Sequence, residues 1–413
     1  MSALSRELAF VLRTASGTGA ALLLLILGSV AVALGLQTVA RQEAAIERMI
    51  EMQTADEAAV QRFADTAGDA AYYTFYPTWD EPSPLAFAAI GQRDVAPAML
   101  RIRMLALEGQ LYENESANPE ASLAGRFDFA FVLIYLAPLI LIALLHDLWS
   151  GERGAGRLAM LQAMPRSRWR VFGARALARA LIVFAALLAP FSAGALLSGA
   201  SAIDIAKAAG LIGALVTFWT LAAVLIAACP WRAVTHAGAL CGLWFTLTLV
   251  APAGANLAIN ASIPLPAGAD LARENREAVH DAWDLPRQET LDRFVALYPE
   301  WSTDPLARPF EWKWYYAFQH LGDLQVAEMA RDYREGIAAR EAAAGLVAWA
   351  LPPIAIQRGL FRLAETDVAD QLAYQDSVRA YHHRLRAFYY PYLFKKRPFG
   401  AADFEKAPRF SDQ

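Results

Sequence analysis

The chain of 413 residues is 56% hydrophobic and 19% charged, with a mean hydropathy of +0.28 and a net charge of −4. A water-soluble protein carries roughly 45–50% apolar and about 25% charged residues, so part of this chain meets a solvent other than water. The near-neutral balance points to neither a nucleic acid nor an acidic partner. The two cysteines, Cys229 and Cys241, sit in or beside apolar runs and read as small hydrophobes, so neither a disulfide framework nor a cysteine zinc site is expected.

Five runs approach the roughly 20 apolar residues that cross a bilayer. Residues 1–36 form an N-terminal segment and the first span, with its apolar run at 19–36. Arg6 and Arg13 precede it in the manner of a secretory signal, but the run is longer than the usual 7–15 residues of such a signal, so a retained anchor is expected. A first long loop, 37–126, continues the span as a helix to about Asp65 and then turns Pro-rich and aromatic through Tyr72, Tyr73, Phe75, Tyr76 and Trp79. The second span, 127–145, carries Asp128 near one end. After a connecting loop at 146–177, residues 178–254 hold the third to fifth spans, with runs at about 178–199, 208–228 and 237–253.

A second long loop, 255–341, reads as helices near 271–283 and 290–297 and a longer one near 314–344. The short apolar segment at 342–360, interrupted by Pro352 and Pro353, is read either as a sixth span or as a re-entrant or interfacial piece. A helical tail, 361–413, turns basic at Lys395-Lys396-Arg397. The expected fold is an all-α polytopic membrane protein with five spans and a mainly helical domain built from the two long loops.

Arginine placement sets the expected orientation. Seven arginines (Arg153, Arg157, Arg166, Arg168, Arg170, Arg175 and Arg179) lie between the second and third spans against Asp147 and Glu152. The two long loops are acidic instead, with 7 Arg against 14 acids and 9 basic residues against 15 acids. The N-terminus and the arginine-rich loop are therefore expected in the cytoplasm, and the long loops outside a bacterial cytoplasmic membrane.

Several chemistries have no footing. None of the five lysines follows a glycine, so no G-x-x-x-x-G-K-[ST] loop exists to cradle ATP. Neither H-E-x-x-H nor G-x-S-x-G occurs. The span centres lack Asp, Glu, Lys, Arg and His, the groups by which ion-coupled transporters bind their ions at membrane depth. His382 and His383 are adjacent, and adjacent helical residues do not share a face, so they are expected as core or solvated histidines rather than a metal site. Trp312, Trp314, Tyr315 and Tyr316, with His320 one turn on, are expected in a domain core or an interfacial belt.

The loop from Asp147 to Arg168 runs DLWSGERGAGRLAMLQAMPRSR. An acidic residue and a glycine precede an amphipathic stretch that ends near a proline and an arginine, and this pattern resembles the segment after the second span of ABC-2 type permeases. Glu152, Gly156, Leu158, Leu161, Pro165 and Arg168 match it, while Arg157 stands where a Thr is common and Arg153 lies beside it. Further segments resemble the branch of those permeases with large extracytoplasmic loops and a C-terminal domain of unknown function: Gly91-Gln92-Arg93-Asp94, Asn118-Pro119, the stretch around Arg126 and Asp128, Ile356-Gln357-Arg358, Glu365-Thr366-Asp367 and Phe404 to Phe410. Glu365 departs from the glycine usual at its position. Many relatives also continue into another span after the Pro-Arg-Phe region, where this sequence stops.

The resemblance implies a non-enzymatic permease subunit of an ATP-driven ABC transporter, with export as the default direction. It implies a dimer of ABC ATPase subunits and a second permease copy or paralogue as partners, besides membrane lipids and without nucleic acid. ATP and Mg would be bound by the ATPase subunits, and this chain would hold no cofactor. The short helix carrying Leu158, Leu161 and Met164 is expected to enter a hydrophobic groove on the ATPase. A rival reading is a membrane-anchored extracytoplasmic binding or assembly protein without transport.

Overall fold

The computed structural model describes residues 3–112, 126–163 and 168–412, and its architecture follows from where apolar runs give way to charge. Thr14 starts the first long helix by accepting the Gly17 N–H at 3.2 Å. The helix then runs Ala15–Gln61, 47 residues. At 1.5 Å per residue that is about 70 Å, more than twice a hydrocarbon core, so the charged half from Arg41 onward projects beyond the membrane. Four further helices are long and apolar enough to cross: Phe129–Gly154, Phe172–Leu197, Ala202–Ala227 and Ala233–Ser262. Together with the first they are the five such helices among the described residues, and the chain is an all-α polytopic membrane protein.

The second and fifth spans each carry one wide π turn, Val132–Leu136 and Thr246–Val250. Each ends two residues before a proline, Pro138 and Pro252. Proline has no N–H and its ring crowds the carbonyl four residues back, so the turn before it opens. Between the first and third spans the contact is built from small residues. A side chain on Gly28 would lie 3.0 Å from Pro190, and a side chain on Gly35 would overlap the Phe87 carbonyl. Close approach of backbones through glycine is the usual way that membrane helices gain packing contacts.

Phe87 belongs to an inserted piece of the first long loop. Leu85 to Ile90 are all buried, and most of this stretch lies in the same apolar core as the spans, with the Phe87 ring 6.0 Å from that of Phe191.

A second apolar core lies beyond the spans. It unites Tyr76 of the first loop, Leu271, Phe294 and Tyr316 of the second, and Tyr381 and Tyr389 of the tail. The Tyr76 and Tyr389 hydroxyls meet at 2.6 Å, and Thr78 meets Tyr374 at 2.9 Å. The helices of this domain are Gly268–Asp281, Arg287–Leu297, Trp312–Ala350 and Val368–Phe394. One antiparallel hairpin, Tyr76–Trp79 against Met99–Ile102, completes it among the described residues. The tail is thus not a separate appendage but a third contributor to the domain of the two long loops. Trp314 and Tyr316 are buried, the core placement expected of that aromatic cluster.

Among the described residues, the segment at 342–360 forms no helix long and apolar enough to cross a membrane. Its first half ends the Trp312–Ala350 helix, and Leu351 leaves helical geometry before Pro352 and Pro353 open a new helix, Pro352–Leu363. The residue before a proline is driven from the helical region, which forces the break. The second helix buries Ile356 and Leu360 against the span bundle while Trp349 at the bend is 89% exposed.

Candidate functional site

Two sets of sequence-singled residues fall at opposite ends of the bundle. The first is a junction between the bundle and the large domain, and it gathers all of Gly91, Gln92, Arg93, Asp94, Arg126 and Asp128. Asp128 caps the second span, accepting the Phe131 N–H at 2.8 Å, and its other oxygen accepts the Ile90 N–H at 3.0 Å. Gly91 has φ +54°, and a side chain there would overlap Thr366. Only glycine fits that combination. The next N–H, of Gln92, donates to the Thr366 carbonyl at 2.8 Å, and the Thr366 hydroxyl donates to the Ala89 carbonyl at 2.8 Å.

Arg93 is 7% exposed and pairs with Asp80, with its Nε donating to Gln42 at 3.1 Å. Burial raises the Asp80 carboxyl while the Arg93 guanidinium pulls it down. Asp94 pairs with Arg126. Glu365 has φ +51°, which accounts physically for a glycine preference at that position. The arrangement holds no nucleophile and base in contact. It ties the first span's extension, the inserted loop, the start of the second span and the 364–367 turn into one unit. Asp128→Ala removes the cap and leaves the Ile90 N–H unpaired, so the purified chain is expected to lose about 2 kcal/mol of stability, read as a lower thermal midpoint.

The second set lies at the other end. Glu152 is its hub, accepting from Arg157 at 2.8 Å and from Arg175 of the third span at 2.9 Å. Arg175 also meets Glu7 of the N-terminal helix at 3.3 Å, and Arg153 donates to the Trp231 carbonyl between the fourth and fifth spans at 3.2 Å. The Trp149 and Phe172 rings stack at 3.7 Å. Gly156, φ +70°, turns the chain into the short helix Leu158–Ala163. Arg168 begins the helix of the third span, Arg168–Leu197, and Pro165 lies outside the described residues.

The expected outward face of the short helix needs correction. Leu158 and Leu161 are half-buried against the chain's own bundle, because positions three apart share a side of the helix. Met160 points the other way and is 60% exposed. Glu152 thus holds two arginines, one of its own loop and one of the third span. Glu7 and Phe172 were missed because only the fold brings their partners to them and no local pattern marks them; the Glu7–Arg175 pair spans 168 positions. Thr366 was quoted within a motif, but nothing local revealed its contact with Gly91.

Among the described residues no three His, Cys, Asp or Glu side chains are grouped to hold a metal. The class defined by this fold is that of polytopic helical membrane proteins with a large domain on one side. Within the chain, residues 269–413 match the family model DUF3526, a domain of unknown function, which covers the second loop and the tail. No curated protein and no solved structure matches the chain.

Proposed function

We propose that this chain is the membrane-spanning permease subunit of an ATP-driven ABC transporter of the ABC-2 type, exporting its substrate from a bacterial cytoplasm. The observation that carries the reading is the end of the bundle opposite the large domain. There the segment resembling an ABC-2 coupling helix lies bonded to three other parts of the bundle through Glu152, Arg153 and Arg175. A push on Met160 from a docked ATPase would move this set as a unit. The third span carries the movement, from Arg175 and Phe172 at one end to Phe191 and Gly194 at the other. These touch Phe87, four residues before the Gly91 junction.

The fourth and fifth spans support the partner assignment. Their most apolar windows are 28% and 17% buried, leaving apolar faces for lipid and a second permease. The N-terminus and the Glu152 end are assigned to the cytoplasm by the arginine asymmetry, and the large domain to the outside. ATP and Mg belong to the partner subunits, since this chain has no phosphate loop.

The test uses the assembly purified from its native membrane through a tag on this chain. ATP hydrolysis by the assembly, and none by the chain stripped of partners, is the expected result. Hydrolysis that stays with the pure chain would sink the reading. In a variant lacking Cys229 and Cys241, a cysteine placed at Ser302 is expected to react with an impermeant maleimide in intact cells, and one at Ala155 only after permeabilisation. The reverse pattern would invert the orientation.

A further inference from the structure

The outer domain contains a cavity of about 310 Å³ between the helices Trp312–Ala350 and Val368–Phe394. Volumes from about 300 Å³ upward suit small ligands. Four arginines line it, and two of them are already committed. Arg379 grips the Glu108 carboxylate with two bonds, at 2.8 and 2.9 Å. Arg386 donates to Asp323 at 2.6 Å, and the other Asp323 oxygen accepts the N–H groups of Leu107 and Glu108 at 2.7 and 3.1 Å. Both acids of the lining are therefore matched.

The other two arginines have capacity left. Arg334 pairs with Asp376 at 2.6 Å through one terminal nitrogen, while its buried Nε has no partner. Arg331 is 59% exposed and meets acids of its own helix only at 3.5 to 4.0 Å.

The third open group is an imidazole. His382 is 2% exposed and lines the cavity, yet its Nε2 is without a hydrogen-bond partner. Backbone carbonyls of Arg103 and Leu105 hold the ring, and burial keeps it neutral, with Arg386 and His320 acting the same way. In a neutral ring held through its other nitrogen, Nε2 carries a lone pair, so it asks for a donor. A buried polar atom left unpaired is costly in a native fold and calls for an explanation.

We infer that this cavity binds a small hydroxylated oxyanion, whose hydroxyl donates to His382 Nε2 and whose anionic oxygens lie on Arg334 and Arg331. Guanidinium groups bind carboxylate and phosphate oxygens through charge-assisted hydrogen bonds. A site built around a ligand hydroxyl rejects the analogue that lacks it, because its own polar atom then stays buried and unpaired. The inference concerns the outer domain alone and stands whether or not the chain transports.

The full-length chain, purified in detergent, is titrated calorimetrically with two matched pairs: citrate against tricarballylate, and glycerol 3-phosphate against propyl phosphate. Within each pair the second member lacks the hydroxyl, and the two pairs separate carboxylate from phosphate. In at least one pair the hydroxylated member is expected to bind tenfold or more tightly than its analogue. His382→Leu is expected to bring the two to the same affinity. Arg334→Gln, at a partly exposed position where folding is readily retained, is expected to weaken both at least tenfold. Absence of binding by both hydroxylated probes, equal affinity within both pairs, or wild-type affinity in a folded Arg334→Gln chain would each overturn the site.

Discussion

Gly35→Val is expected to prevent accumulation of the folded chain. Residue 35 is the point at which the first span touches the backbone of the inserted loop, and a Cβ there would overlap the Phe87 carbonyl carbon and oxygen. A carbonyl cannot rotate away like a side-chain tip, so either the loop or the helix must move. Phe87 is wedged between the first and third spans, where its ring also approaches Gly194. Displacing it would open the core that joins the spans to the domain. Overpacking typically costs 1–3 kcal/mol, and more where backbone must shift, so about 4 kcal/mol is expected here. That is a large share of a typical stability of about 5–15 kcal/mol. Gly19→Val is the control, because nothing lies within 4 Å of a Cβ at that position. Size-exclusion profiles and thermal midpoints in detergent measure both. A Gly35→Val chain with the wild-type midpoint would show that the loop does not pack where it is placed.

Acidification from pH 7.5 to 5 is expected to destabilise the outer domain by about 2–3 kcal/mol. Burial lowers the His320 pKa to about 2, with Arg386 and His383 adding to the shift. Burial lowers that of His382 well below its ordinary value too. In the unfolded chain both accept protons near pH 6.5. Their neutral burial therefore contributes stability that is fully present above about pH 6.5 and is lost as pH falls. Each histidine loses about 1.4 kcal/mol per pH unit below that point. Asp370 acts in the opposite direction. Burial and the neighbouring Asp367 push its carboxyl up to about 6, so the folded chain takes up that proton first and gains stability as pH falls from about 6 toward 4. Asp370 is only partly buried, so solvent screens this gain and it offsets only part of the histidine losses. Thermal midpoints of the wild type and of His320→Gln with His382→Gln measure the effect. The double variant is expected to lose most of the pH dependence, and an equal drop in both chains would assign it to other groups.

The spans were legible because a bilayer demands a length and a composition that need no tertiary context. Asp128, Gly91 and Arg93 were legible as a resemblance, but their joint geometry was not. It depends on Thr366 donating to Ala89 across 277 positions. The inserted loop was hidden because Leu85 to Ile90 is far too short to register as a membrane segment. The direction of the short helix was misjudged for a related reason. Its apolar residues are equally suited to its own bundle and to a partner, and only the position of Phe172 and the third span decides between them. His382 gave no local signal, since a histidine on a mixed helix face reads as core until its second nitrogen is seen without a partner.

Met160 offers the most direct test of the central claim that an ATPase docks at the Glu152 end of the bundle. A photo-crosslinking amino acid is placed at Met160, the exposed apolar residue of the Leu158–Ala163 helix, and the control is placed at Ser302, which is exposed on the opposite side. Cells are irradiated intact and adducts are identified by mass spectrometry. An adduct from position 160 to a subunit carrying the phosphate-binding loop of an ATPase, and none from position 302, is the result the account predicts. Incorporation at 160 with no adduct to such a subunit, while the chain remains folded in the membrane, would contradict it.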